Sequence, residues 1–436
     1  MMKKRILLLI LLIPTLLLTA CGAQPPAEET KPKASEQIND TAAADREDNS
    51  QPTVSSNEKV EPVPLSHSIN ALGYDLFAQF TQAGPENICF SPYSIESALG
   101  MAAAGASGDT LDEMRQVMQI GDMDSFIKDL SLSADKLEND AMDIRIANSA
   151  WYEKDLTFSD SFESEYLPLL KDAYKADCFE ETLSDPATVQ MMNDWIGDAT
   201  NDKITDMVNE VPDDAVLLLF NAVYFNAEWA LPFPKEGTYD EAFNGTNGEQ
   251  TVPFMHLSEQ YFKYYEYKGI RALRMYYKDS DMAMDLLIPA DEDADVTALF
   301  NALSLEEKQA LYDGLSEAEE ISIASLKLPR FTFKSDSIRL NEYLKNLGME
   351  KAFTNTAEFD KISDEVRISD IFHKTYIRVD ENGTEAAAVT QVMMNCMSLP
   401  AGDPVTFEVT MPFMYYISDT SNGTILFMGS MSHIDD

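Results

Sequence analysis

The sequence of 436 residues has few basic residues, few cysteines and few histidines. Its 32 lysines and arginines stand against 75 aspartates and glutamates, which gives a formal net charge of −43. This charge argues against nucleic-acid binding, because phosphate neutralisation needs clustered Lys and Arg. Four Cys and four His, scattered along the chain, are too few for a disulfide framework or a histidine-rich metal centre. Only one long apolar run is present, at the very start, and this excludes a multi-pass membrane protein.

Motifs of the common enzyme classes are missing as well. The sequence contains no G-x-S-x-G elbow, H-E-x-x-H helix, P-loop or G-x-G-x-x-G turn. The histidines lie far apart, with no C-x-x-C pair to complete a zinc site. They are His67, His256, His373 and His433. We therefore predict that the protein is not an enzyme and needs no metal or cofactor. An enzyme whose acid–base pair is assembled only by the fold is the alternative.

The first twenty-one residues have the layout of a secretory signal. A basic segment, residues 3–5, precedes an apolar segment, residues 6–18. A helix of that length spans only about 20 Å, which is short of the roughly 30 Å hydrocarbon core of a bilayer. Residues 18–21 (LTAC) resemble the bacterial lipoprotein box, in which the Cys is lipidated. We predict a signal at residues 1–21 and a bacterial protein anchored through Cys21 outside the cytoplasm, at the membrane or cell surface. An ordinary signal peptide with an incidental Cys is the alternative.

The composition changes twice after the signal. Residues 22–65 contain no aromatic side chain and are dominated by Pro, Ala, Glu, Asp, Ser, Lys and Thr. Such a segment cannot bury enough apolar surface to offset its ordering entropy, so we predict a disordered tether. Residues 66–436 have a globular composition, with no linker and no repeat of fixed period. We predict a single folded domain over this range.

Hydrophobic patterns in this domain predict both helices and strands. Apolar residues from Ile69 to Phe80 fall at helical spacing behind Ser68, which we expect to be the N-cap. The nearly continuous apolar run Val216–Phe225 predicts a strand buried on both faces. Further patterns predict strands at 321–328 and 405–411, a hairpin across Asn422-Gly423, and helices near 162–174, 189–199 and 337–347. Helices prevail in the first half and strands at the C-terminal end, so the fold class is α+β.

The segment from residue 379 to residue 402 has an unusual composition. After Glu385 its first part is small and uncharged, and its second part carries Met and Cys before a Pro-Ala-Gly turn. Taken alone, these residues predict a helix or strand followed by a loop.

This segment resembles the reactive-loop hinge of the serpin family, and the resemblance extends over the whole globular part. Residues 380–388 (DENGTEAAA) are similar to the hinge, and residues 87–95 (NICFSPYSI) to the family's segment beneath the opening of the central sheet. Shorter matches are Asn221 with Phe225 and Trp229, Leu328-Pro329-Arg330-Phe331, Leu347-Gly348-Met349, Pro412-Phe413 and Phe427-Met428-Gly429. Their common order, across some 340 residues, makes the resemblance specific.

The resemblance implies a fold and a mechanism. The fold is a single α+β domain with a large central mixed sheet, further β-sheets, about nine helices and an exposed reactive loop near the C-terminus. In the mechanism, a serine protease cleaves the loop, becomes acylated, and is trapped when the upstream part of the loop inserts into the central sheet.

The resemblance also implies two groups of site residues. The implied hinge is Glu381, Gly383, Thr384, Glu385, Ala386, Ala387 and Ala388. Gly383 is expected to supply backbone freedom at the turn into the sheet. The implied sheet-opening cluster is Ser91, Ser94, Asn221 and His373, whose role is to hydrogen-bond the parted strands. Ordinary polar groups of the core are the alternative interpretation of the cluster.

An inserting strand must alternate between a buried face and a solvent face. The set that begins with Thr384 is Thr384, Ala386, Ala388, Thr390, Val392 and Met394, and none of these residues is charged. The opposite set contains the only charge, Glu385. No proline interrupts the run, so every amide can join a sheet. The pattern favours an active inhibitor in which residues 384–396 insert as a new strand.

The resemblance implies a cleaved bond roughly sixteen positions after the hinge glutamate, which is Met397–Ser398 when counted from Glu381. Because the stretch from Ser398 to Pro412 is a few residues longer than expected, Met394–Asn395 and Cys396–Met397 remain alternatives. Methionine suits elastase- or chymotrypsin-like pockets and lacks the cation that a trypsin-like pocket needs.

We expect a monomer that forms a covalent acyl complex with an extracellular serine protease. We expect no nucleic acid as a partner, and contact with a membrane only through the N-terminal lipid. A non-inhibitory serpin-fold binding protein is the alternative function.

Overall fold

The computed structural model describes residues 63–82, 87–137, 142–154, 156–213, 215–335, 337–384 and 405–435. The predicted signal and lipidation at Cys21 lie outside these residues, as do the hinge positions Glu385 to Ala388 and the proposed bond Met397–Ser398. Nine α-helices are present in the described ranges: α1 (Leu65–Gln82), α2 (Pro92–Gly105), α3 (Gly108–Val117), α4 (Met123–Leu137), α5 (Leu167–Ala173), α6 (Pro186–Ala199), α7 (Val296–Asn301), α8 (Leu305–Glu317) and α9 (Asn341–Leu347).

Seventeen strands accompany the helices in the same ranges. They are β1 (Ile88–Phe90), β2 (Asp143–Glu153), β3 (Asp177–Glu181), β4 (Leu217–Glu228), β5 (Thr238–Gly245), β6 (Gly248–Tyr267), β7 (Ile270–Tyr276), β8 (Met282–Pro289), β9 (Glu320–Pro329), β10 (Phe331–Lys334), β11 (Ile338–Arg339), β12 (Phe372–His373), β13 (Tyr376–Val379), β14 (Gly383–Thr384), β15 (Val405–Glu408), β16 (Phe413–Asp419) and β17 (Thr424–Met431).

The central sheet has six strands in the order β10-β13-β14-β4-β2-β3. Its strands pair in antiparallel fashion except for β2 with β3, which are parallel, so the sheet is mixed. Strand β4 is buried on both faces, as its apolar sequence predicts. On one face Leu218 and Phe220 pack with residues of α6, and on the other Val223, Phe225 and Ala227 belong to the main core.

A second sheet has nine strands and also contributes residues to the main core. Its order is β1-β17-β16-β8-β7-β6-β9-β15, with β5 paired to β6. The 20-residue strand β6 joins its two parts, because one end pairs with β5 and the other with β7. Strand β15, which directly follows the undescribed loop residues, pairs in parallel with β9. The described chain therefore ends at β14 in the central sheet and resumes at β15 in the nine-stranded sheet.

Helix α2 lies between the two sheets and carries the residues on which the central sheet rests. Ser91 caps it, accepting a hydrogen bond from the Ser94 backbone N–H at 3.0 Å, and Pro92 occupies its first turn. Nearly all of its residues are buried, which suits a helix whose side chains are mostly small or apolar. The N-terminus of α2 is thereby held beneath β4.

The predicted α+β class with a mixed central sheet is confirmed, and two local expectations are wrong. Helix α1 begins at Leu65, so Ser68 lies within its first turn and bonds to the Leu65 carbonyl instead of capping the helix. Helix α9 begins at Asn341 instead of residue 337, because Ile338 and Arg339 pair with β12. At α9 a contact formed by the fold overrides the local sequence pattern, whereas at α1 the helix extends further towards the N-terminus than the pattern predicts.

Candidate functional site at the opening of the central sheet

The start of the predicted hinge lies inside the central sheet. Thr384 pairs with Ala227 of β4 on one side and with Val379 of β13 on the other. Beyond this point, no ladder in the described part of the chain joins β4 directly to β13. At the level of Thr384 the two strands are therefore separated by β14, which pairs with both of them.

Glu381, the predicted start of the hinge, is buried and held by two side chains. The Thr238 hydroxyl donates to its carboxylate at 2.7 Å, and the Arg330 guanidinium forms an ion pair with it. Burial acts to raise the pKa of Glu381, but its hydrogen bonds and the positive charge of Arg330 together outweigh burial, so the pKa is lowered. Glu381 is therefore ionised at neutral pH and fixes the turn between β13 and β14.

Trp229 fixes the same turn through its backbone and its ring. Its backbone N–H donates to the Asn382 carbonyl at 2.7 Å, and its indole N–H donates to the Asp380 carbonyl at 3.0 Å. Since Trp229 directly follows β4, the turn is attached to the strand along which the loop is predicted to insert.

Gly383 is required for space and not for backbone freedom. It is not among the glycines with positive φ in the described residues. A Cβ added here would lie 2.0 Å from the Ala227 carbonyl oxygen and 2.8 Å from the Glu228 Cα. The expectation of a freely turning glycine is therefore wrong in its reason, since only a residue without a side chain fits this close against β4.

The structure brings the four predicted cluster residues together beneath the sheet. The Ser91 backbone N–H donates to the His373 Nε2 at 3.0 Å, and the Ser94 hydroxyl donates to the Asn221 backbone carbonyl at 3.3 Å. All four residues are buried. The N-terminus of α2 thus contacts β4 through Asn221 and, through His373, strand β12, which lies just before β13 in the chain. The switching role of the cluster stays a prediction.

Asn148 extends the cluster, and sequence reasoning missed it. Its side-chain carbonyl accepts from the Asn221 amide at 2.6 Å, and its own amide donates to the Tyr174 carbonyl at 2.6 Å. The signal that could have found it is a second asparagine in a largely apolar strand, since Asn148 of β2 faces Asn221 of β4. The Asn221 Oδ1 is buried and has no hydrogen-bond partner within the described residues.

Comparison with known proteins identifies the family. The family described as serpin (serine protease inhibitor) matches residues 67–434. This chain belongs to the serpin family. The predicted resemblance is thereby confirmed, and serpins are inhibitors of serine proteases and not enzymes.

Individual relatives agree with this assignment. The serpin is 33% identical to an uncharacterized serpin-like protein of Thermococcus kodakarensis over 384 residues, which cover 86% of each chain. The thermophilic serpin tengpin in its native state superposes with a TM-score of 0.75 at 30% identity, covering 86% of this chain and 98% of tengpin. Human thyroxine-binding globulin complexed with thyroxine has the same TM-score at 22% identity, covering 85% and 99%, so it shares the fold alone.

A buried carboxyl, that of Glu96, lies close to the cluster of this serpin. Glu96 is two residues beyond Ser94 on α2, is fully buried, and has no partner for either carboxyl oxygen within the described residues. Burial raises its pKa well above the ordinary value, so the neutral acid is favoured. Sequence reasoning missed Glu96 because acidic residues are so frequent here that a single one carries no signal.

His373 makes the stability of the serpin depend on pH. Burial lowers its pKa from 6.5 to about 3. The unfolded chain binds this proton below its pKa of about 6.5 and the native state does not, so native stability falls between pH 6.5 and pH 3 by up to ~1.4 kcal/mol per pH unit. We expect His373→Gln, whose amide oxygen can accept from Ser91, to lose less stability over this range in urea unfolding. The same change at exposed His67 controls for the substitution itself. A slope in His373→Gln equal to that of the wild type would contradict the prediction.

The described residues include neither a candidate metal site nor a candidate membrane-spanning helix. That part of the chain holds no group of three or more His, Cys, Asp or Glu side chains arranged to bind a metal ion. None of the helices in the same ranges is both long enough and apolar enough to cross a membrane.

Proposed function

We propose that this serpin is an irreversible suicide inhibitor of extracellular serine proteases with elastase- or chymotrypsin-like specificity. The protease cleaves Met397–Ser398 and stays joined to Met397 as an acyl-enzyme. Residues 384–396 then insert into the central sheet between β4 and β13. The proposal is carried by the pairing of Thr384, which already joins both strands in the intact protein.

The register of Thr384 predicts the partners of the rest of the strand. Because β14 and β4 are antiparallel, each step forward along the loop is one step back along β4. The predicted pairs are Ala386 with Phe225, Ala388 with Val223, Thr390 with Asn221, Val392 with Leu219, and Met394 with Leu217. Directly opposed residues of two strands share a face, and this face of β4 packs on the main core. The uncharged set of the loop therefore falls on the buried side.

The pairing of Thr390 with Asn221 supports insertion in a further way. The Asn221 Oδ1 is a buried acceptor without a partner within the described residues. A threonine hydroxyl on the same face is a donor of suitable size. Insertion would satisfy an acceptor whose isolation costs on the order of 1–3 kcal/mol.

The free energy of trapping comes from the sheet. A strand inserted between β4 and β13 gains backbone hydrogen bonds on both edges and buries its small and apolar side chains. The intact protein lacks this gain, because its loop is held at both ends, by β14 and by β15. The native state is thus a kinetic trap that cleavage releases.

We also propose an attachment for the inhibitor. A lipid on Cys21 would hold it outside the cytoplasm at the bacterial membrane or cell surface, and residues 22–65 would keep the folded domain clear of the lipid. The support is the LTAC sequence before a composition without aromatic residues. Metabolic labelling with a radioactive fatty acid, which a Cys21→Ser variant must not incorporate, tests this attachment.

The test of inhibition is to incubate the purified protein with an elastase-like and a chymotrypsin-like protease. We expect a covalent complex that survives SDS. The peptide that begins at Ser398 should separate from this complex only on denaturation, because it carries β15, β16 and β17 of the nine-stranded sheet. Thr384→Arg should be cleaved at the same bond without forming the complex, since an arginine on the buried face cannot enter the core.

Glu385→Arg is the matched control. It places the same side chain one residue further, on the opposite face, at a position that already carries a charge. We expect this variant to form the complex. Cleavage of the wild type without a complex would favour the non-inhibitory binding protein, and a fully inhibitory Thr384→Arg would refute insertion in this register.

A further inference from the structure

Tyr277 connects the hinge to the nine-stranded sheet. It directly follows β7, and its hydroxyl lies 2.6 Å from the Thr384 Oγ1. Its ring stacks on Trp229, with ring centroids 4.6 Å apart and an angle of 14° between the planes. Tyr277, Trp229 and Thr384 are each only 1% exposed. The hydroxyl of Tyr277 is thus the group that meets the first inserted side chain.

We propose that Tyr277 is a positioning residue for loop insertion, which holds Thr384 between β4 and β13 through a buried hydrogen bond. The inference rests on the proposed inhibitory function and adds a residue outside the loop and outside the cluster beneath the sheet. Its role is to favour the first step of insertion over the return of Thr384 to solvent.

The surroundings of Tyr277 keep it in place whether or not Thr384 is present. Its backbone N–H donates to the Met282 carbonyl at 2.9 Å, and it forms an isolated bridge with Trp229. Burial raises the pKa of its phenol, so the hydroxyl stays protonated. When Thr384 leaves the sheet, the buried hydroxyl loses its partner, and this loss opposes withdrawal of the hinge.

The bond matters because insertion competes with hydrolysis. After cleavage, insertion of the loop traps the acyl-enzyme, or hydrolysis releases the protease. The ratio of these two rates sets how many inhibitor molecules are consumed per protease. A slower first step of insertion shifts the ratio towards release. Loss of the hydrogen bond should therefore raise the stoichiometry of inhibition without slowing the first encounter with the protease.

The experiment measures the stoichiometry of inhibition and the association rate for Tyr277→Phe, which keeps the ring and its stacking. We expect the number of inhibitor molecules consumed in excess of one per protease to rise roughly fivefold. Thr384→Val should have the same effect, and the double variant should be no worse than either single variant, because both remove one bond. Thr384→Ser keeps the hydroxyl and should behave as the wild type.

Tyr276→Phe is the matched control, since it removes the neighbouring hydroxyl, and its stoichiometry should be unchanged. Additive effects in the double variant, or a normal stoichiometry in Tyr277→Phe, would overturn the role of Tyr277. Should Tyr277→Phe fail to fold, the contrast between Thr384→Val and Thr384→Ser tests the bond from the other side, and equal values would refute it. Failure of the proposed function is distinct, because the wild type itself would then form no complex.

Discussion

Replacing Gly383 with alanine is expected to turn the inhibitor into a substrate. The added Cβ would lie 2.0 Å from the Ala227 carbonyl oxygen, and this atom belongs to the backbone of β4 and cannot rotate away. The first residues of the loop could then enter the sheet only if β4 itself moved. We expect the inhibition rate constant to fall by about a hundredfold or more, which corresponds to ~2.7 kcal/mol, while loop cleavage continues.

The measurement compares the covalent complex with the cleaved product on SDS gels at several ratios of inhibitor to protease. Gly197→Ala in α6 is the matched control, because its new Cβ would meet nothing closer than 3.4 Å. A helix also tolerates alanine better than glycine, so this control should be as stable as the wild type or more stable. Normal inhibition by Gly383→Ala would mean that the hinge does not enter the sheet as β14 does here.

Cleavage of the loop is expected to make the protein much more stable to heat. Within the described residues β4 and β13 share only β14, so a complete strand can still be added between them. We expect the unfolding midpoint of the cleaved protein to exceed that of the intact protein by about 10 °C or more, since at ~2 °C per kcal/mol this needs only ~5 kcal/mol of added stability. Circular dichroism during heating, before and after limited proteolysis within the loop, measures the difference.

The cleaved Thr384→Arg variant is the control for this experiment. Its loop is cut at the same place but cannot place an arginine in the core, so its midpoint should stay near that of the intact form. If the cut wild-type protein melted no higher than the uncut protein, no free energy would be stored in the intact state. The chain would then share the fold of the family without its mechanism of trapping.

The elements with strong local patterns could be predicted from the sequence. The apolar run around Val216–Phe225 became β4, and the hairpin at Asn422-Gly423 became β16 and β17, with Gly423 at a φ of 80°. Such patterns depend on neighbours in sequence, because burial of a strand and the chemistry of a turn are local requirements. The family motifs then supplied the fold as a whole.

The parts that could not be predicted depend on contacts between distant residues. Nothing in the sequence near Tyr277 indicates that it meets Thr384, 107 positions later. The sequence near Gly383 predicts only backbone freedom, because the close approach of β4 is visible only once the strands are paired. Glu96 carries no distinguishing feature until its surroundings show that it is a buried and unpartnered acid. The pairing of strands and the burial of side chains both depend on the tertiary fold, so the local sequence does not reveal them.

The length of strand β4 also sets how far an inserting loop would extend along the central sheet. The strand begins at Leu217, which lies opposite Met394 in the predicted register. The ten steps from Thr384 to Met394 cover about 33 Å at the usual rise of a strand. A protease joined to Met397 would be carried from one end of the central sheet to the other. The number of residues between hinge and cut therefore matters as much as their identity: a loop shorter by two residues would bring the captured enzyme to rest against a different part of the inhibitor's surface.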